Sequence, residues 1–342
     1  MKRSLIVSLI ICLMFVFICI STNAEAKKYK MIITNEVAVT HWKTGLMKDL
    51  AKMIKERSNG RIKVKVYSGG QLYTDKGAIK ALGTGAVHMV WPVSVNVETL
   101  RQSYGVVNMP FAINDKLVLE NPGFRKDLLK VLSDTLGQEG IKVMGLLRAD
   151  ELIFVFKDHQ PKTPKEMKGL KIRVIGGQVL LDWVGELGVT PISMPASEFT
   201  TALSQGVIDG IHTSSDGWAR MIGDLGQYGL LVPDLLVVTY SILLDQKWFD
   251  KLPGDLQEVV TKSVDDLASK QWEFSMGKTN VAFKKIKNEF KATIYRVPDK
   301  EVPQWGEIVS PSYVRFSEKF PDIYKSYIKL NQKYGRKWPP MQ

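Results

Sequence analysis

The apolar pattern of this chain changes character several times, and each change predicts an element. It opens with an almost unbroken apolar run from Leu5 to Ile20, preceded by Lys2 and Arg3 and followed by Ser21, Thr22, Asn23 and the small-residue pattern Ala24-Glu25-Ala26. A basic start, an apolar centre and an A-x-A end are the layout of a secretory signal peptide. The run falls short of the ~20 apolar residues that a membrane-spanning helix needs. Cleavage after Ala26 and a mature start near Lys27 are therefore expected. Beyond it, Met31 to Ile33 reads as a strand, and Trp42, Leu46 and Leu50, with Met47 and Ile54, recur at helical spacing. Ser58-Asn59-Gly60 stops that helix, after which Ile62, Val64 and Val66 alternate with Lys63, Lys65 and Tyr67, the period of a strand. Strand, helix and strand in this order predict a parallel βαβ unit with a right-handed crossover. A second helix over about Asp75 to Leu82, ended by Gly83 and Gly85, leads to a strand from Ala86 to Val90.

A comparable α/β unit follows later, with a strand over Leu170 to Val174, helices over Val179 to Leu187 and Ser197 to Gln205, and a strand over Val207 to Ile211. In the C-terminal third the period becomes helical throughout. Leu252-Pro253-Gly254-Asp255 suits a helix start, and Leu256, Val259, Val260, Val264 and Leu267 recur at three and four residues, with no Pro before Phe290. A helix of ~30 residues measures about 45 Å, enough to lie across two lobes; two helices with a bend near Gly277 fit the same pattern. Pro298, Pro303, Pro311 and Pro321 separate shorter helices, and Trp338-Pro339-Pro340 ends the chain in an extended tail.

Composition narrows the function. Both cysteines, Cys12 and Cys19, lie in the leading apolar run, so the cleaved chain has no disulfide, thiolate nucleophile or Cys metal site. The remaining chain is long enough to bury a large core without a covalent staple, and its length suggests two domains. Of 47 basic and 35 acidic residues, removal of Lys2, Arg3 and Glu25 leaves 45 and 34, a net charge of +11. The lysines are interspersed with acids, as in Lys284-Lys285-Ile286-Lys287-Asn288-Glu289, and no arginine stripe is interleaved with aromatics as nucleic-acid binding favours. A positive potential would instead speed encounter with anionic solutes.

Catalytic signatures are missing. His41, His88, His159 and His212 are far apart and form no metal-ligand spacing, and no G-x-S-x-G elbow occurs. Gly83-Thr84-Gly85 begins like a dinucleotide loop, but its third glycine position is His88 and it follows a helix. Asp265-Asp266 point apart on a helix and read as a solvated face. No catalytic residue, cofactor or metal is expected. The residue that stands out is Arg173, which projects from the strand opposite to Ile172 and Val174 and lies near the strand's carboxyl end, just before Gly176-Gly177. Open α/β sheets place ligands there, and a guanidinium offers a planar fork matched to a carboxylate; a surface ion pair is the other reading.

The chain resembles the DctP family, the periplasmic solute-binding subunits of TRAP (tripartite ATP-independent periplasmic) transporters, over essentially its whole mature length. The resemblance is carried by Ser58-Asn59-Gly60-Arg61-Ile62-Lys63-Val64, Gly70-Gln71-Leu72, Met109-Pro110-Phe111, Lys162-Thr163-Pro164, and Lys168-Gly169-Leu170-Lys171-Ile172-Arg173-Val174. It continues in Pro195-Ala196-Ser197-Glu198, in Ala202-Leu203-Ser204-Gln205-Gly206-Val207-Ile208-Asp209-Gly210, and in Lys247-Trp248-Phe249-Asp250-Lys251-Leu252-Pro253. It implies an α/β, two-lobed periplasmic binding protein fold with crossover strands, a long helix spanning both lobes and a cleft that closes on its ligand. The first lobe then holds residues 27–147 with a return segment at about 240–275, and the second holds 148–239, about 276–342 and the C-terminal helices.

Family members bind organic acids through the arginine of the Lys-Ile-Arg block, which is Arg173 here; Glu36, Asp75, Trp91 and Thr213 match other cleft positions. The chain also departs from the pattern. Where many members read Asp-Gly-Gln-Glu-Asn-Pro, it has Asp209-Gly210-Ile211-His212-Thr213-Ser214, which puts the Thr213 hydroxyl in place of an amide. A second cleft arginine is matched by Arg148 only through an insertion, which points to a ligand with one carboxylate. Trp91 and Trp218 are candidates for an apolar wall, with core packing as the alternative for each. The implied function is capture of a small organic acid anion in the periplasm and its delivery to the membrane subunits of the transporter, by a mature protein that binds no nucleic acid and is not membrane-inserted. An ABC-type solute receptor and a secreted enzyme are the alternatives.

Overall fold

The computed structural model describes residues 27–339; the leading apolar run and its cleavage site lie outside the described residues. β1 (Tyr29–Thr34), helix α1 (Trp42–Arg57) and β2 (Ile62–Tyr67) form the expected parallel βαβ unit. Met47, Leu50 and Ile54 of α1 are fully buried against the sheet, each stabilising the fold by ~1.5–3 kcal/mol. The helix ends where Asn59 and Gly60 turn to positive φ, and the Ser58 hydroxyl accepts the Ile62 N–H at 3.1 Å. Helix α2 (Asp75–Ala81) leads to β3, which is only Met89–Val90 and shorter than the strand expected from Ala86 to Val90.

Helix α3 (Pro122–Leu136) precedes β4 (Ile141–Glu151), which runs through Leu152 into β5 (Ile153–Phe156). Then follow β6 (Lys171–Val174), helix α4 (Gln178–Glu186), β7 (Thr190–Ser193), helix α5 (Ala196–Ser204), β8 (Gly210–Thr213), β9 (Tyr228–Leu231) and β10 (Val237–Asp245). Helix α6 (Gly254–Asn288), β11 (Thr293–Arg296), and helices α7 (Ser310–Lys319) and α8 (Pro321–Lys333) complete the chain.

Two sheets result. The first has the order β2-β1-β3-β10-β4 and the second β11-β9-β5-β8-β6-β7. The chain crosses from the first to the second between β4 and β5 and returns between β9 and β10. The two crossings are tied by the Leu152 N–H, which donates to the Leu236 carbonyl at 2.9 Å. Periodicity does not predict β4, β5, β9 or β10. β8 begins three residues later than the strand expected at Val207, which is half exposed (52 %) in the loop after Gly206.

α6 is one continuous helix through Gly277, about 50 Å long at the standard rise. Its first half places Leu256, Val260 and Val264 in the core of the first sheet, and its second half places Ala282 and Ile286 in the core of the second. α7 lies against α4 and α8 against α3. The Tyr313 and Tyr327 hydroxyls donate to the Pro110 and Ala112 carbonyls at 3.0 and 2.8 Å, so the C-terminal helices touch elements of both lobes. Among the described residues no helix is long and apolar enough to cross a membrane.

Candidate functional site

Parallel pairing puts Arg173 of β6 beside Ile211 of β8. Registered neighbours in a sheet share a face, and the period of two brings Thr213 to that face as well. Arg173 is 3 % exposed. Its Nε donates to the Met194 carbonyl at 2.9 Å, and its guanidinium carbon lies 4.8 Å from the centre of the Phe199 ring. No acidic side chain among the described residues lies within ion-pair distance of it. Burial alone holds its pKa down, to about 10. Thr213 is 5 % exposed, and its hydroxyl sits where a Cβ on Gly217 would approach to 2.6 Å.

The first lobe gathers Glu36, Asp75 and Trp91 around a lysine that the sequence reading did not single out. Lys43, in the first turn of α1, is fully buried. Its ammonium donates to the Trp91 carbonyl at 2.8 Å and lies 4.1 Å from the centre of the Tyr240 ring. Burial pushes its pKa down, and the charges of Asp75 and Glu36 oppose that shift. Glu36 accepts the Asp75 N–H at 2.7 Å, and Asp75 accepts the Val93 N–H at 3.3 Å. Trp91 is buried, and its indole N–H has no acceptor among the described residues. One signal in the sequence pointed to Lys43: it lies on the stripe of Met47, Leu50 and Ile54, where an apolar residue is expected.

The two remaining expected residues go elsewhere. Trp218 is fully buried in the core of the second lobe, so close to β9 that a Cβ on Gly229 would come within 2.7 Å of its ring. Arg148 is 2 % exposed, on β4, and held by carboxylates and hydroxyls. Its Nε donates to both Asp115 oxygens at 2.9 and 3.0 Å, and Nη1 to Thr279 at 3.1 Å and Asp150 at 3.5 Å. Burial works to lower its pKa, but the Asp115 hydrogen bond and the charges of Asp115, Asp150 and Glu151 raise it overall. Asp150 also accepts the Ser215 N–H at 2.8 Å and hydroxyl at 2.6 Å, and the Thr279 hydroxyl at 2.6 Å. This buried network joins β4, α6 and the turn that follows β8.

The lobes also meet at the start of α1. His41 caps that helix by accepting the Lys43 N–H at 3.1 Å. Burial lowers its pKa to about 4, and among smaller influences are Asp216 and Arg220 from beyond β8. Trp42 stacks edge-on against Tyr240 and Phe274 at 5.7 and 6.4 Å. Beside them a groove of about 690 Å³ is bounded by Asp216, Arg220, Phe274 and Lys278. Among the described residues no cluster of His, Cys, Asp and Glu is placed to hold a metal ion.

Two lobes, two crossing connections and a helix common to both cores define a two-lobed solute-binding protein. The chain belongs to the bacterial extracellular solute-binding protein family 7, the DctP family of TRAP transporters, whose model matches residues 33–319. It is similar to the C4-dicarboxylate-binding protein DctB of Bacillus subtilis, with 23% identity over 271 residues that cover 79% of this chain and 77% of that protein. Among solved structures it resembles the sugar acid binding protein DctPAm of Advenella mimigardefordensis in complex with galactonate, with a TM-score of 0.76, 23% identity, and coverage of 90% and 99% of the two chains. It also resembles a TRAP periplasmic solute binding protein of Desulfovibrio salexigens with bound orotic acid, with a TM-score of 0.78, 19% identity and coverage of 90% and 99%. The family and the fold are those of transport proteins, not of enzymes.

Proposed function

We propose that this protein captures the anion of a small organic acid between its lobes and hands it to the membrane subunits of a TRAP transporter. The contrast between two buried arginines carries this reading. Arg148 is surrounded by carboxylates and hydroxyls, and its pKa is raised. Arg173 is as deeply buried, has no carboxylate partner among the described residues, and its pKa is lowered. A buried cation without a counter-charge is costly, and an incoming carboxylate relieves that cost while accepting two parallel hydrogen bonds from the guanidinium. Thr213, on the same face, offers a hydroxyl; Trp91, Glu36 and Asp75 line the first lobe, and Trp218 backs the second from its core.

With Arg148 committed to Asp115 and Asp150, a single carboxylate is the recognised group. Galactonate and orotic acid, the acids bound by the two related structures, each carry one. We take the lobes to divide where the chain crosses, near Leu152 and within residues 232–236. The reading extends to export, with the mature chain beginning at Lys27 in the periplasm.

Titration calorimetry with a panel of galactonate, glucuronate, succinate and orotate tests the proposal. Arg173→Ala leaves a dehydrated carboxylate unpaired, which costs ~2–5 kcal/mol, a loss of roughly thirty-fold to several thousand-fold in affinity. Arg173→Lys restores part of it, because an ammonium keeps the charge but not the fork. Unchanged affinity in a folded Arg173→Ala protein refutes the assignment, and a chemically altered ligand after incubation refutes simple capture.

A further inference from the structure

A carboxylate that the capture chemistry does not use is buried between the lobes. Glu98 follows the short first-lobe helix Ser94–Val97 and is 5 % exposed. One of its oxygens accepts from the Asn108 side-chain amide at 2.8 Å, and the other accepts the Val179 N–H at 3.2 Å. Val179 is the second residue of α4 in the second lobe. A side chain of one lobe thus sits on the N-terminus of a helix of the other, where the helix dipole favours negative charge. That helix starts directly after Gly176-Gly177, with three residues between it and the end of the strand that carries Arg173.

The joint is tight and dry. A Cβ on Gly177 would stand 3.1 Å from Glu98 Oε1, and one on Gly105 would stand 2.5 Å from a Val179 methyl. Trp183 of α4 donates from its indole to the Asn108 carbonyl at 3.2 Å. Few charges face Glu98. From α4 the one that bears on it is Asp182. In its own loop Arg101 is drawn to Glu139, and on α7 Arg315 pairs with Glu186 while Lys319 lines a groove with Asp182 and Gln178. No basic side chain among the described residues is within ion-pair distance of Glu98.

Resting on lobe closure as the capture step, we propose that Glu98 is a proton-linked latch: closing the lobes seats its carboxyl in this joint, and the seated carboxyl takes up a proton. Asn108 serves either form. Its amide N–H donates to the carboxylate, and after a flip its carbonyl accepts from the carboxylic acid O–H while the other oxygen keeps the Val179 N–H. Dehydration therefore decides the proton's occupancy. Burial raises the Glu98 pKa from 4.5 to about 7, against the opposing hydrogen bonds from Asn108, Val179 and Gln178 and with a small further push from Asp182. The latch requires that opening admit water to the group and so return it to its ordinary value. The closed form then binds the proton more tightly, so closure is favoured as pH falls from about 7 towards 4.5 and loses that help as pH rises through about 7. If the carboxyl is fully solvated on opening, the closed-to-open ratio rises up to roughly seventy-fold between pH 8 and pH 5.

The experiment needs no ligand, so its failure would leave the role of Arg173 standing. Spin labels on Lys63→Cys and Gln205→Cys, in the cleaved chain that otherwise lacks cysteine, report the distance between the lobes by pulsed electron resonance. The closed population should grow from pH 8 to pH 5 in the otherwise native protein and stay level in Glu98→Gln. A pH-independent distance distribution, or the same pH dependence in Glu98→Gln, overturns the latch. If Glu98→Gln does not fold, a carbon NMR titration of the Glu98 carboxyl in the native protein decides: a midpoint above 6 supports the latch, and one at or below 6 overturns it.

Discussion

Replacing Arg148 by methionine removes its charge while keeping most of its chain volume. Asp115 loses both of its bonds to Nε, at 2.9 and 3.0 Å, and keeps the Trp272 indole N–H at 2.7 Å. Asp150 is better provided for, with the Ser215 N–H and hydroxyl, the Thr279 hydroxyl and the Glu151 N–H, at 2.8, 2.6, 2.6 and 2.9 Å. Two nearby carboxylates then lack the cation between them. Breaking a buried pair in this way costs ~3–5 kcal/mol, and the donors that Asp150 retains favour the lower end.

Urea denaturation at pH 7 measures this as a fall in midpoint at constant slope. Because Asp115→Asn removes the stranded charge, the double variant should recover ~1–3 kcal/mol relative to additivity. The same substitution separates two roles for Arg148. If it served the ligand directly, Arg148→Met would weaken binding and leave stability nearly unchanged. A stability loss below ~1 kcal/mol together with a large fall in affinity would therefore refute the reasoning and return Arg148 to the binding site.

Two further outcomes are expected. Gly277 lies inside the continuous α6 with open space where a Cβ would stand, so Gly277→Ala should stabilise the protein by ~0.5–1 kcal/mol; a loss in the denaturation midpoint would show that the glycine is needed for a bend. His212 stacks on Phe154 at 4.2 Å, with both ring nitrogens buried and without a partner among the described residues. Burial lowers its pKa to about 3, with the Arg173 charge acting in the same direction. The folded state holds it neutral while the unfolded chain protonates below about 6.5, so the native protein loses stability as pH falls through that range. His212→Phe removes this part, and its advantage over the native protein should grow by ~2 kcal/mol from pH 7 to pH 5; an advantage equal at both pH values contradicts the neutral assignment.

The elements legible in the sequence are those with one wet face. α1 and β2 show clear periods because lysines alternate with their buried positions. β4 and β10 do not. β10 is buried at every position from Val237 to Asp245, and a strand covered on both faces reads as a continuous apolar run without alternation. The crossings, and with them the two-lobed division, were legible only through resemblance. Arg173 was visible because a charged residue interrupts a short apolar strand. Lys43 carried the same kind of signal on a helix, hidden by the charged residues around it. The environment of Arg148 was not legible, since Asp115, Asp150 and Thr279 come together only when β4 packs on α6. Glu98 was likewise hidden, because its partner on α4 lies far along the chain and belongs to the other lobe.

β10 is an interior strand of the first sheet, between β3 and β4, yet it is made only after the second lobe's strands β5 to β9 have been synthesised. Until Val237–Asp245 is present, β1, β2 and β3 have no neighbour connecting them to β4. A chain released after Glu151 and before Val237 holds two unjoined pieces of the first sheet, each with a bare edge open to pairing with another molecule. Such long-range pairing slows folding. The first sheet, although its sequence comes first, is thus joined only after five strands of the second have been made, and the second gains its edge strand β11 later still.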